Sequence, residues 1–448
     1  MRFFFHILYR FYRVGSGFRY RVQRRFTNAG LLVLGCVLTA AVMGPDTDNN
    51  IAYQAFAILF SLLLAGMAFS AWFRARFFVN RLLPRFGTVG APLSYDLCVK
   101  NLTRKPQKGL TLLENLADVR PSFDEWLAAH RAEEKHLRSW RLSYKRPGRP
   151  YRWAVLQEAS IPDIPAGQEM QVRAELTPLR RGPLRFAGIT LARPDPLGLC
   201  RAFKKVLQPQ SVLILPKRYP LPPIALPGTL KYQEGGVALA SHVGQSEEFV
   251  SLRDYRHGDP LRHIHWRSWA KAGKPVVKEF EDEFFVRHAL VLDTFTDHPR
   301  SEACEEAISI AASFACTLQT QESLLDLLFV GPNAFCITTG RGLAHADQML
   351  EVLASVRPCH EKPFVELEHL VINHVAAVSG CVCIFLAWDS ARQRLVQKLQ
   401  SLGLPLLALV VVERGENLKL HAGPMSGDPE NFHVLESGKI ETGLARLK

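Results

Sequence analysis

The chain has 448 residues, enough for two or three domains. With 48% hydrophobic and 22% charged residues its composition is that of a folded protein and excludes pervasive disorder. The formal net charge is +13, but residues 1–85 alone hold eleven Arg, no Lys and two Asp, a net of +9. Basicity confined to one end excludes nucleic acid as an expected partner of the body and favours anionic lipid at the amino end.

Residues 1–26 form a basic tail in which Arg alternates with Phe and Tyr, a pattern that fits either a short interfacial helix or a clinging basic segment. Residues 27–76 contain two uncharged apolar runs, 29–43 and 51–73, joined by the turn-forming GPDTDNN. The second run is long enough for a hydrocarbon core of about 30 Å; the first needs its flanks or a slightly thinner bilayer. The pattern predicts a two-helix transmembrane hairpin. Both outer flanks are Arg-rich and the connecting loop has neither Lys nor Arg, so the positive-inside rule puts both termini in the cytoplasm. Seven Arg before the first run argue against a cleaved signal peptide. The competing reading is a buried helix pair in a soluble protein. The nine cysteines are irregularly spaced, which argues against a disulfide framework and fits a reducing compartment. Cys381 and Cys383 alternate with apolar residues and read as one face of a core strand rather than a metal grip.

Residues 77–230 read as an antiparallel β-sandwich. LSYDLCVKN, GLTLLENL, YRWAVLQEASI, EMQVRAELTP, LRFAGITLARP and QSVLILP are short strand-like runs punctuated by Gly and Pro. A capping-box start at Ser122 to Glu125 opens a charged helical insertion over 122–143.

Residues 231–285 form a charged segment whose centre, 248–281, is denser in Arg, acids, His and Trp than any other stretch. Three readings of it stay open. Arg253, Arg256, Arg262 and Arg267 could pair internally with Asp254, Asp259, Glu279 and Glu281, with Arg267 and Asp259 in buried pairs. The same residues, with Trp266 and Trp269, could form a docking surface, because Arg and Trp are favoured at interface hot spots. His263 and His265 with Asp254 or Asp259 are also metal-ligand types, which would suit a metal-assisted hydrolase.

Residues 286–415 alternate strand-like and helical runs and predict a mostly parallel, doubly wound α/β sheet. Residues 416–448 form a carboxyl-terminal tail with two weak strand candidates, LKLHAG and FHVLES. Phosphate-binding loops and common hydrolase motifs are absent.

Asp293 and Asp389 end two of these strands, where ligands bind in open α/β sheets. The layout resembles a von Willebrand factor A domain, whose metal site opens with Asp-x-Ser-x-Ser. Here that stretch is Asp293-Thr294-Phe295-Thr296-Asp297. Phe295 supplies no oxygen ligand, which implies a degenerate site; Asp293, Asp297 and Asp389 could still hold Mg²⁺.

The charged segment also resembles the signature of the domain-of-unknown-function 58 family at Glu248, Arg253, Tyr255, Gly258, Asp259, Arg262, Ile264, Trp266, Arg267, Ala270, Lys271, Gly273 and Glu279. A second echo is Arg180-Arg181-Gly182-Pro183 with Asp195-Pro196-Leu197-Gly198-Leu199. The resemblance implies a bacterial inner-membrane protein with a cytoplasmic body. It implies a MoxR-type AAA+ ATPase as partner, and a transglutaminase-like membrane protein as a second. It implies an adaptor or scaffold rather than a catalyst.

Overall fold

The computed structural model describes residues 2–43, 50–117, 123, 126–127, 153–222, 249–257, 261, 264–280, 287–296, 301–318, 324–339, 343–360, 362–415 and 420–447. The chain divides into two compact units, Met1–Lys217 and Arg218–Lys448.

The first unit begins with three helices, α1 (Arg2–Arg25), α2 (Asn28–Met43) and α3 (Asn50–Ala71). The break after α1 is capped: the Thr27 hydroxyl oxygen accepts a hydrogen bond from the Gly30 N–H at 3.0 Å. α2 and α3 pack on each other, with Val37 and Leu63 buried. Among the described residues one helix, Ile51–Ala71, is long and apolar enough to cross a membrane. α2 has 16 residues and, at about 1.5 Å per residue, reaches only about 24 Å. The expected pair of spanning helices is thus one helix of spanning length and one shorter apolar partner.

Two sheets follow. One has the order β1 (Phe77–Leu82), β3 (Leu93–Asn101), β7 (Glu169–Pro178), β5 (Ala154–Leu156). The other runs β2 (Phe86–Thr88), β9 (Arg201–Leu215), β8 (Gly182–Pro194), β4 (Leu110–Leu116), β6 (Ala159–Ile161). Neighbouring strands are antiparallel except β2 with β9. Alternation does the sorting: Leu93, Tyr95, Leu97 and Val99 of β3 point into one core shared with Leu110, Leu112, Leu184 and Ile189 of the second sheet. A bulge between Phe186 and Gly188 shifts the phase of β8, so that Phe186 and Ile189 both reach that core. The run YRWAVLQEASI, expected as one strand, breaks at Gln157 and Glu158, and its halves β5 and β6 join different sheets. Of the helical insertion only Phe123, Trp126 and Leu127 are described.

The second unit opens with a hairpin, β10 (Phe249–Asp254) and β11 (Val276–Phe280), which encloses the short helix α4 (Trp266–Ala272). Its main sheet has the order β14 (Ala334–Thr339), β13 (Leu324–Val330), β12 (Arg287–Leu292), β15 (Gly380–Phe385), β16 (Leu406–Val412), β17 (Phe432–Glu436). All neighbours are parallel except β13 with β14. The other helices are α5 (Glu302–Leu318), α6 (Leu343–Ser355), α7 (Val365–His374), α8 (Ser390–Ser401) and α9 (Ile440–Leu444). Continuous apolar strands need cover on both faces. Val291, Cys383 and Val410 pack with Leu367 of α7 and Leu395 of α8, whereas α5 lies against β12, β15 and β16 with Ile310 and Phe314 buried. Cys381 and Cys383 are buried in this core, their sulfurs 3.4 Å apart. Residues 416–448, read from the sequence as a tail, supply β17 and α9 to the same unit.

Candidate functional site

Glu248, Gly258, Asp259, Arg262, His263 and Asp297 lie outside the described residues, and Glu279 is placed by its backbone alone, opposite Ser251. The rest of the signature segment builds a small scaffold with a polar outer face. Ile264 bridges to Val277, and Ile264, Val276 and Val277 are buried. α4 starts after His265, whose Nδ1 lies 2.7 Å from the Ser268 hydroxyl. It stops at Gly273, which takes the left-handed conformation and donates its N–H to the Trp269 carbonyl. Tyr255 donates its N–H to the Pro275 carbonyl at 3.0 Å.

No residue of α4 is buried. Trp266 stacks on Trp269 at 5.2 Å between ring centres and is 65% exposed. Arg267 and Lys271 are exposed and have no ion-pair partner among the described residues. Asp254 pairs with Lys274 at 2.7 Å in the open, and an Arg253 N–H reaches the Asp254 carbonyl at 3.2 Å. Arg267 is thus exposed rather than in a buried pair among the described residues; Asp259, the other residue expected in such a pair, lies outside them. Of the four residues offered for metal-assisted hydrolysis, two are described: His265 lies against Ser268 and Asp254 pairs with Lys274. Among the described residues no three His, Cys, Asp or Glu side chains converge as a ligand set.

A second cluster lies at the carboxyl ends of β12 and β15, where the strand order reverses. Asp293 is fully buried. Its carboxylate accepts N–H bonds from Phe295 at 2.9 Å and Leu386 at 3.1 Å. Arg392, on the first turn of α8, donates Nε to Asp293 at 3.0 Å and Nη1 to Asp389 at 2.6 Å. Its guanidinium lies over the Phe364 ring at 4.4 Å. Asp389 caps α8, accepting the Arg392 N–H at 3.0 Å. Burial pushes the Asp293 carboxyl up, and Arg392 with the two backbone donors pulls it back. The structure thus brings Asp293 and Asp389 together, as the sequence reading supposed, with an arginine between them that this reading missed. Its signal was present in the chain: an Arg three residues after an Asp cap.

The second stretch of the upstream echo, 195–199, folds into the tight connection between β8 and β9, whereas 180–183 leads into β8. Asp195 accepts the Cys200 N–H on its carboxylate at 2.8 Å, and the backbones of the two residues pair as well. The turn receives the start of α2. Thr27 donates its N–H to the Leu199 carbonyl at 3.1 Å and its hydroxyl to the Gly198 carbonyl. A Cβ on Gly30 would stand 2.0 Å from the Leu199 oxygen, so only glycine lets the helix approach this closely. Cys200 and Leu199 then join Val37 and Leu63 in one buried cluster.

Residues 251–416 match the family model described as Protein of unknown function DUF58. The uncharacterized protein YeaD of Bacillus subtilis (strain 168) is 25% identical over 191 residues, which are 42% of this chain and 46% of that protein. The alignment therefore spans about half the length of this relative. Among solved structures, a beta-glucosidase from Listeria innocua aligns with 31% of this chain and 16% of its own at 16% identity and a TM-score of 0.18. The Pseudomonas fluorescens alkylpurine DNA glycosylase AlkC aligns with 37% and 39% at 12% identity and a TM-score of 0.19. Scores this low do not establish a shared fold.

Proposed function

We propose that the chain is a membrane-anchored, cytoplasm-facing adaptor or scaffold that docks a MoxR-type AAA+ ATPase on the outer face of the signature hairpin. The observation that carries this reading is the state of α4. A soluble surface has little reason to leave Trp266, stacked on half-buried Trp269, in water beside two cations without carboxylate partners among the described residues. Aromatic and Arg side chains of this kind are what partner surfaces use as anchors. In the reading, α2 and α3 form the two-span hairpin of a bacterial inner membrane with both termini in the cytoplasm, α2 being accommodated by local thinning. α3 supports it: only 11% of its apolar window is buried, whereas the core helix of a soluble protein would be enclosed. A transglutaminase-like membrane protein would be a second partner.

The six-stranded sheet is read as von Willebrand factor A-like, with the Arg392 guanidinium supplying the positive charge between Asp293 and Asp389. A resident Mg²⁺ is then not required for the adaptor role.

The test is affinity capture of the full-length protein from detergent-solubilised membranes. The intact chain should retain an AAA+ ATPase, and Trp266→Ala with Arg267→Ala should weaken capture about 30-fold, the loss expected of a hot-spot pair. Capture of no AAA+ ATPase by the intact chain would sink the adaptor reading.

A further inference from the structure

The first helix presents two apolar faces, and only one of them meets protein. On the inner face, His6 and Tyr9 lie against Phe123, and Tyr9 and Tyr12 against Trp126. At its carboxyl end Arg24 donates to the Asn115 side chain and, at 3.2 Å, to the Glu114 carbonyl, which fixes the helix to the sandwich. The other face carries Phe3, Phe4, Ile7, Leu8, Phe11, Val14 and Phe18, all exposed; Phe3 is 80%, Phe11 75% and Phe18 68% open. At about 100° per residue these seven side chains fall within a stripe roughly 140° wide. A contiguous apolar stripe of that kind on a soluble surface marks an interaction site.

Charge selects the occupant. The helix contains no acidic residue, and Arg10 borders the stripe on one side and Arg19 on the other. Arg21 and Arg25 extend the positive charge at the carboxyl end. An apolar stripe edged by arginine is the pattern of a helix lying in the plane of an anionic lipid surface, its aromatic side chains about 5–10 Å into the headgroup boundary. Continuity agrees: only Phe26 and Thr27 separate α1 from the apolar α2.

We propose that α1 is an interfacial lipid-binding helix that lies on the cytoplasmic leaflet of an anionic membrane, with the Phe3–Phe18 stripe inserted and the Tyr9–Tyr12 face holding the sandwich. This rests on the membrane reading above and deepens it. The tail is a contact surface in its own right rather than a topogenic signal alone. The sandwich is then held close to the headgroups by two attachments, α1 and the turn Asp195–Leu199 on α2.

The test is photolabelling of the full-length protein in phosphatidylglycerol-containing liposomes. One phospholipid carries a diazirine near the headgroup and another carries it at the acyl terminus, and adducts are mapped by mass spectrometry. The headgroup-proximal probe should mark Phe3, Phe11 and Phe18 about tenfold above Tyr9 and Tyr12, as expected for one immersed face. The terminal probe should mark α3. Phe3→Ser, Phe11→Ser and Phe18→Ser together should abolish labelling of α1 and leave that of α3 unchanged. Labelled α3 with unlabelled α1 would overturn the proposal and spare the anchor. Labelled α1 with unlabelled α3 would spare the proposal and overturn the spans. Adducts between the α1 helices of two copies in place of lipid adducts would give the stripe to self-association and overturn it.

Discussion

Among the described residues two buried arginines, Arg81 and Arg392, face carboxylates, and their surroundings give them different meanings. Arg81 is sealed in the sandwich, its side chain wholly buried and bidentate on Glu114, with Nη2 at 2.7 Å and Nε at 3.3 Å. Nη1 reaches Gln210 at 3.1 Å and the Phe186 ring lies 4.4 Å away. One cation faces one anion, and no path leads to a ligand. Arg392 faces two carboxylates, buried Asp293 and half-exposed Asp389, at the carboxyl edge of the sheet beyond the central strands β12 and β15. The cluster is one positive charge short of neutral. A matched, enclosed ion pair can serve only architecture, whereas an unbalanced one at a crevice keeps the electrostatics of a binding position.

The largest effect should come from the sealed pair. Arg81→Ala leaves the Glu114 carboxyl in an apolar interior and should cost about 3–5 kcal/mol, read as a shift in the denaturant midpoint of the full chain. Burial already pushes Glu114 up, opposed by Arg81, so removing Arg81 raises it further. The sign follows. A carboxyl whose folded pKa exceeds the unfolded value of about 4.3 favours the fold below that pH and loses the contribution as pH rises. The deficit of Arg81→Ala should therefore grow from pH 4 to pH 7. Arg81→Met with Glu114→Leu should recover most of it, since an apolar replacement of both partners removes the buried charge altogether. An unchanged midpoint in Arg81→Ala would erase the distinction between the two arginines.

The edge cluster should respond less and differently. Asp293 keeps two backbone donors when Arg392 is removed, so Arg392→Ala should cost about 1–3 kcal/mol. It should also acquire a property that Arg81→Ala lacks. Asp293, Asp389 and the Phe295 carbonyl then present oxygens with no positive charge among them, and millimolar Mg²⁺ should raise the melting temperature of the variant by linkage. The intact protein should show no such rise. Equal Mg²⁺ responses in the two would mean that the guanidinium does not stand in for a cation.

This contrast was half legible in the chain. Asp293 and Asp389 announce themselves because an acid after an apolar run is conspicuous in ALVLD and FLAWD. Arg392 does not, because an arginine on a helix usually points to water, and only the tertiary approach of the first turn of α8 to Asp293 turns it inward. The Arg81–Glu114 pair is less visible still: NRLLPR and LLENL lie in strands from different sheets, and their meeting is a property of sandwich packing. Periodicity found the alternating strands β3 and β7, and the apolar runs β12, β13, β15 and β16, where one or both faces are buried. It missed β1, where a charged residue, Arg81, takes an inward position that the pattern reserves for apolar ones, and the first half of β9, where Lys204 and Lys205 mask the alternation. It also joined β5 to β6, because nothing local marks where a chain changes sheets.

The exposed arginine of the signature segment completes the series and should give the smallest change in stability. Arg267 and Trp266 sit on a helix with no buried residue, so their removal leaves neither a cavity nor an orphaned charge. Surface replacements of this kind stay within about 0.5 kcal/mol. The paired variant that weakens capture of the ATPase should therefore unfold with the intact protein in the same denaturant titration. That combination separates the docking and network accounts of the charged block. A docking surface loses its partner and keeps its fold, whereas an internal network loses its fold first. A midpoint lowered as far as that of Arg81→Ala would return Arg267 to the architectural class and take the docking face with it.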